Sequence, residues 1–207
     1  MGQNFPAVKI TFNHYLEYLG LKKLTKISTR VPAEISNNRI LEFTFEEVEM
    51  FTALLQAKNR IEGAFPSENL PAGVCVFNSD KNDIAAIPEN CTTLLGLLYY
   101  ERHLFTDLEV RKLQQIRKIY GNINFSEMPI ENLSIFSNVE KIISLNASVP
   151  AVQFYGLDKL TSIELPKLQN LYSYSDMRFS IVSCTSINIT NETCSFFERA
   201  NHQASRY

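Results

Sequence analysis

Leu113-Gln-Gln-Ile-Arg-Lys-Ile-Tyr-Gly-Asn-Ile-Asn-Phe125 is the stretch whose reading decides the fold. Leu113, Ile116 and Ile119 recur at a spacing of three, and from Ile119 the period changes to two through Gly121, Ile123 and Phe125. Period two sets alternate side chains on one face of a strand, so the stretch reads as a tight turn running into a β-strand. The same three-point motif recurs as Leu21, Leu24, Ile27, as Phe136, Val139, Ile142, and as Leu157, Leu160, Ile163, with Ile163 and Leu165 repeating the strand alternation. The last three copies stand about 21 to 23 residues apart, the length of one solenoid coil.

A spacing of three also occurs on an amphipathic helix. Against a set of helices stand Pro129, Pro150, Pro166, Gly121 and Gly156, which interrupt the intervals within two helical turns. The expected fold is therefore mainly β, a right-handed β-helix or leucine-rich-repeat-like solenoid with short capping helices.

Gly20-Leu-Lys-Lys-Leu-Thr-Lys-Ile27 and Gly156-Leu-Asp-Lys-Leu-Thr-Ser-Ile163 match closely enough to suggest two copies of a larger unit. A helix-like stretch follows each copy, from Phe45 to Ala57 and from Ser195 to Ala200. Thr44 and Glu47 form a capping-box pattern before the first, and Glu46, Glu47 and Glu49 complement the helix dipole there. Residues 1–57 are expected to be the C-terminal half of a first unit with its cap helix. Residues 58–90, with Gly63, Pro66, Pro71, Gly73 and Pro88, read as a link, residues 91–200 as a second, nearly complete unit, and residues 201–207 as a tail.

Charged residues make up 20% of the chain with a net charge of -2, and both signs are scattered, so no basic stripe exists to track phosphates. No apolar run approaches the roughly 18 residues that span a bilayer. Met1-Gly-Gln-Asn-Phe-Pro6 lacks the basic segment and apolar core of a secretory signal, and Pro6 argues against a myristoyl anchor. An extracellular protein with this sequence is expected to begin further upstream.

Three features resemble the receptor L domain family, the ligand-binding β-helical units of insulin-type and epidermal-growth-factor-type receptors. They are Cys91-Thr-Thr-Leu-Leu-Gly-Leu-Leu-Tyr-Tyr100 as an opening strand, Leu113 to Phe125 as a coil, and Asn191-Glu-Thr-Cys194 as a closing motif. In the first unit Leu41 stands where the family usually closes on cysteine. Short invertebrate proteins with paired L domains and no kinase are the nearest resemblance. It implies a secreted or cell-surface module without catalysis or cofactor, and the fold leaves its ligand open.

Cys75, Cys91, Cys184 and Cys194 allow three pairings, among which sequence does not choose. Similar L domains join a pair at the spacing of Cys75 and Cys91. Cys184 and Cys194 are close enough to staple the last coil to its cap. No C-x-x-C pair or Cys/His cluster suggests a metal, since His14, His103 and His202 lie far from the cysteines. Buried free thiols in a cytosolic protein are the alternative.

The acceptor pattern N-x-[ST] occurs at Asn90, Asn124, Asn132, Asn146, Asn188 and Asn191, against about two or three expected by chance. The excess fits a secretory route. An Asn-rich solenoid also uses Asn in its corners, which yields the same pattern.

β-Helices host polysaccharide-cleaving enzymes, which need converging carboxylates. The candidates are Asp158 with Glu164, Glu127 with Glu131, and Asp80 with Asp83; none recurs with the coil period, so they read as solvated corners. No hydrolase, nucleotide or zinc-protease motif is present.

Three functions follow. The first is an extracellular module, a decoy or co-receptor, binding a protein or peptide through a face that includes Tyr99, Tyr120, Tyr155 and Tyr172. The second is an intracellular leucine-rich scaffold with reduced cysteines; the third, and least supported, is a carbohydrate-active enzyme.

Overall fold

The computed structural model describes residues 6–21, 23–24, 33–52, 60–66, 70–81, 83–146, 148–175 and 177–187. Strands β1 (Val8–Thr11), β2 (Ala33–Ser36) and β3 (Arg60–Ile61) form a parallel sheet in that order. Ile10, Ile35 and Ile61 stand in one register row of it. Helix α1 (Phe45–Thr52) follows β2. Its capping box is made as expected: the Glu47 N–H donates to Thr44 Oγ1 at 3.2 Å, and the Thr44 N–H donates to Glu47 Oε2 at 3.0 Å.

Seven further strands form a second sheet, again with every pairing parallel. They are β4 (Val74–Asn78), β5 (Thr93–Glu101), β6 (Lys118–Ser126), β7 (Lys141–Ser144), β8 (Val152–Tyr155), β9 (Asn170–Ser173) and β10 (Phe179–Val182). β4 and β3 both fall inside the stretch 58–90 expected to act as a link. The chain is thus mainly β, with parallel sheets.

The sheet forks at β6. Lys118 to Tyr120 pair with β7, while Ile123 to Ser126 pair with β8. The fork lies at Gly121, whose φ of +148° follows a φ of +135° at its register partner Gly96. A Cβ on Gly96 would stand 1.9 Å from the Phe77 carbonyl oxygen, and one on Gly121 1.8 Å from that of Gly96. Glycine is required at both positions because backbone passes where a side chain would start.

One core fills the inner side of the second sheet. It takes Leu94 and Leu98 from β5, Ile119, Ile123 and Phe125 from β6, and Phe154 from β8, with Phe125 stacked on Phe136 and Phe154. The three motif copies Leu113/Ile116/Ile119, Phe136/Val139/Ile142 and Leu157/Leu160/Ile163 are buried there throughout. The copy at the front differs: Leu24 is 42% exposed, Leu21 packs on a separate cluster, and Ile27 lies outside the described residues.

Two local expectations change. Ile163 and Leu165 are buried but form no strand, because Pro166 has no N–H to give a ladder; the next strand begins at Asn170. Leu113 ends a second helix, α2 (Asp107–Gln114), rather than opening a turn. Its capping box, Thr106 with Glu109, is the [ST]-x-x-[DE] pattern present in the sequence but not singled out. The helix-like stretch from Ser195 to Ala200 and the tail 201–207 lie outside the described residues.

Candidate ligand-binding face

Strand alternation sends Leu95, Tyr120, Ile143 and Tyr172 to the outer side of the second sheet, where they form one register row. The first sheet and α1 cover this row. Together with Ala33, Ile35, Val48, Phe51 and Ile61 it makes a second core. Burying a parallel sheet on both sides follows the rule for such sheets. Tyr120 and Tyr172, expected on an open face, are therefore core residues at 2% and 5% exposure. Their hydroxyls are satisfied inside: the Ile61 N–H donates to Tyr172 Oη at 2.8 Å, and Tyr120 Oη donates to Glu49.

Glu49 on α1 is the polar anchor of this contact. Lys118 Nζ lies 2.8 Å from its Oε1, and Lys141 Nζ pairs with its Oε2. Burial alone would raise the Glu49 carboxyl, but hydrogen bonds from Lys118, Lys141 and Tyr120 outweigh it and hold the group at about 2. Burial followed by the Glu49 hydrogen bond pushes the Tyr120 phenol upward.

The remainder of the outer side is open. Tyr99, Asn124, Gln153 and Ser180 form one row across β5, β6, β8 and β10; Glu101, Ser126, Tyr155 and Val182 form the next. Tyr99 is 38% and Tyr155 45% exposed. Leu97 and Val182, which sequence reasoning passed over, add apolar surface beside them. The Tyr99 hydroxyl donates to Glu101 Oε2 at 3.3 Å, and that bond raises its pKa.

The open face ends in a column of left-handed residues. Arg102, Glu127, Gly156 and Ser183 each follow a member of the second row, with φ of +52°, +51°, +60° and +55°. Arg102, Glu127 and Gly156 donate their N–H groups to Ser126, Tyr155 and Val182 at 2.8 to 3.0 Å. Beside the column lies an open cleft of about 490 Å³ lined by Glu127, Met128, Pro129, Tyr155, Gly156, Asp158, Lys159 and Ser183.

That cleft brings Glu127 and Asp158 together, a pairing the sequence did not single out. Glu127 is ion-paired with Arg102, whose Nη2 lies 2.5 Å away, so its carboxylate is already engaged. Asp158, Glu131 and Glu164 are exposed. Asp83 caps a short 3₁₀ turn through the Ala85 N–H at 2.9 Å, and the N–H of Asp80 donates to Asn78 Oδ1. Among the described residues no group of three or more His, Cys, Asp and Glu side chains is placed to hold a metal.

Cys75 and Cys91 form a disulfide that ties β4 to the entry of β5, with Cα atoms 5.9 Å apart. Cys184 carries a free thiol whose Sγ donates to the Val182 carbonyl at 3.5 Å, and burial raises its pKa. Its expected pairing falls on Cys194, which lies outside the described residues.

Asn90, Asn132 and Asn146 are exposed in turns. Asn132 and Asn146 do structural work as well, since their Oδ1 atoms accept from the N–H groups of Ser134 and Ser148 at 2.9 and 2.8 Å. Asn124 is half-buried in the middle of β6. Asn188 and Asn191 lie outside the described residues.

Among the described residues no helix is long and apolar enough to cross a membrane. No curated protein matches the chain. The model of the family described as receptor L domain matches residues 90–196, just over half of the 207 residues. That span contains β5 to β10, most of the inner core, the Cys91 half of the disulfide and the whole open face. This chain therefore belongs to the receptor L domain family, a family of ligand-binding modules.

Proposed function

We propose that this chain is a non-catalytic extracellular binding module, a solenoid of the L domain kind, that takes a protein or peptide ligand on its open outer face. The ligand sits across the rows that hold Tyr99 and Tyr155, and the module acts as a decoy or co-receptor. The single observation that carries this reading is the unequal treatment of the outward tyrosines. Tyr120 and Tyr172 are buried by the chain itself, whereas Tyr99 and Tyr155 stand in adjacent register rows with no part of the described chain over them. Rigid strands present them, and Tyr is enriched among interface residues that dominate binding energy.

The disulfide supports an oxidising compartment. The exposed sequons at Asn90, Asn132 and Asn146 support glycosylation there. Residues 1–57 and 91–200 are proposed as a partial and a nearly complete L-domain unit, in keeping with β1 and β2 lying in the first sheet and β5 to β10 in the second.

The test begins with protein made in secretory cells behind an added signal sequence, weighed intact before and after glycan removal with thiols alkylated without reduction. Glycans, and protected Cys75 and Cys91, are expected. Four alkylated cysteines on a bare chain would instead establish the intracellular scaffold. The secreted protein is then screened against displayed extracellular proteins and peptides. For a ligand so found, Tyr99→Ala and Tyr155→Ala are each expected to weaken binding by roughly tenfold or more; unchanged affinity in both would remove this face as the site.

A further inference from the structure

Asn124 differs from the other sequon asparagines among the described residues in lying within a strand. It occupies the middle of a strand, where Asn is a poor β-former. Its side-chain amide makes no hydrogen bond to any described residue, whereas Asn122, Asn132 and Asn146 all use theirs. The need for corner turns, which accounts for Asn132 and Asn146, does not account for Asn124. Ser126, two residues on, projects from the same side of the strand, so both side chains of the sequon face outward while Phe125 between them is buried.

The neighbours in register complete the case. Tyr99 flanks Asn124 in its own row, and Tyr155 flanks Ser126 in the next. We infer that Asn124 is a glycosylation site and that its glycan lies on the open face beside Tyr99 and Tyr155, so that a ligand on the surface proposed above meets the chain's own sugar as well as the two rings. This rests on the reading of the chain as a secretory binding module. In the transfer, Asn124 Nδ2 bonds to the anomeric carbon of a lipid-linked oligosaccharide. The carbon–oxygen bond to the lipid pyrophosphate breaks, the pyrophosphate leaves with the electron pair, and one amide proton is released. The apolar face of the first sugar then has two aromatic rings to rest on, which slows reagent access to both.

The test uses the full chain made in secretory cells. Glycopeptide mapping is expected to find sugar at Asn124 as well as at Asn90, Asn132 or Asn146. Tyrosine-selective iodination of the folded protein is then compared with Asn124→Gln and with Ser126→Ala, which removes the sequon while keeping Asn124. In both variants Tyr99 and Tyr155 are expected to label roughly threefold faster than in the glycosylated protein, while Tyr15 and Tyr18, exposed on the first unit, keep their rates. Sugar at the turn sequons with Asn124 bare, or equal labelling with and without the Asn124 glycan, overturns the inference and leaves the binding-module reading intact. A chain bare at every sequon overturns both.

Discussion

Gly121 lies beside Gly96 so closely that a Cβ placed on it would stand 1.8 Å from the Gly96 carbonyl oxygen. The contact marks the position where β6 stops pairing with β7 and starts pairing with β8. Gly121→Ala forces the overlap apart and adds a side chain at a φ of +148°. A loss of about 3 kcal/mol or more is expected, enough to prevent folding in a marginal domain. Denaturant unfolding of the variant checks this; a loss below about 1 kcal/mol would show that the fork does not need glycine.

Glu49 couples the first unit to the second sheet. Its carboxyl is depressed in the folded chain from 4.5 to about 2, so the stability it contributes is present above the ordinary value and is lost as pH falls toward 2. The difference in unfolding free energy between the natural chain and Glu49→Gln is therefore expected to be about 2 kcal/mol at neutral pH and to shrink across that window. A difference that stays constant from pH 7 to about pH 2 would break the assignment.

Reduction of the Cys75–Cys91 bond opens a loop with a sequence separation of 16. Cys91→Ser is expected to cost about 3 kcal/mol through the unfolded chain's regained freedom. Hydrogen exchange gives a sharper readout, because among the described residues β4 pairs on one side only, with β5, and its amides should lose protection before those of β6.

The tyrosines separate by role. Tyr172→Phe keeps the ring but removes the acceptor of the Ile61 N–H, and is expected to cost about 1 to 2 kcal/mol. Tyr155→Phe, on the open face, is expected to change stability by no more than about 0.5 kcal/mol. Thermal unfolding of the two variants side by side checks the contrast, and equal losses would contradict the division of the outer side into covered and open halves.

Much of the inner architecture was legible in the residues. The change from period three to period two at Ile119 placed β6 to within a residue, and every apolar position of three motif copies is buried. Those signals are local, since alternation along one strand follows from backbone geometry alone. Where a nearby residue intervened, the reading failed: Pro166 stopped the strand expected at Ile163, and the Thr106–Glu109 cap drew Leu113 into a helix. β3 was hidden because two residues carry no period, and β4 because it lies among prolines and glycines.

The outer side shows what sequence alone determined and what it did not. Alternation sends Tyr99, Tyr120, Tyr155 and Tyr172 outward alike, and in that respect the four are indistinguishable along the chain. Only the tertiary structure divided them, because what covers Tyr172 is Ile61, 111 residues away, and what holds Tyr120 is Glu49 on α1, 71 residues away. Strand geometry decides which side of a sheet a side chain takes, but whether that side meets water depends on a packing partner that no local pattern encodes.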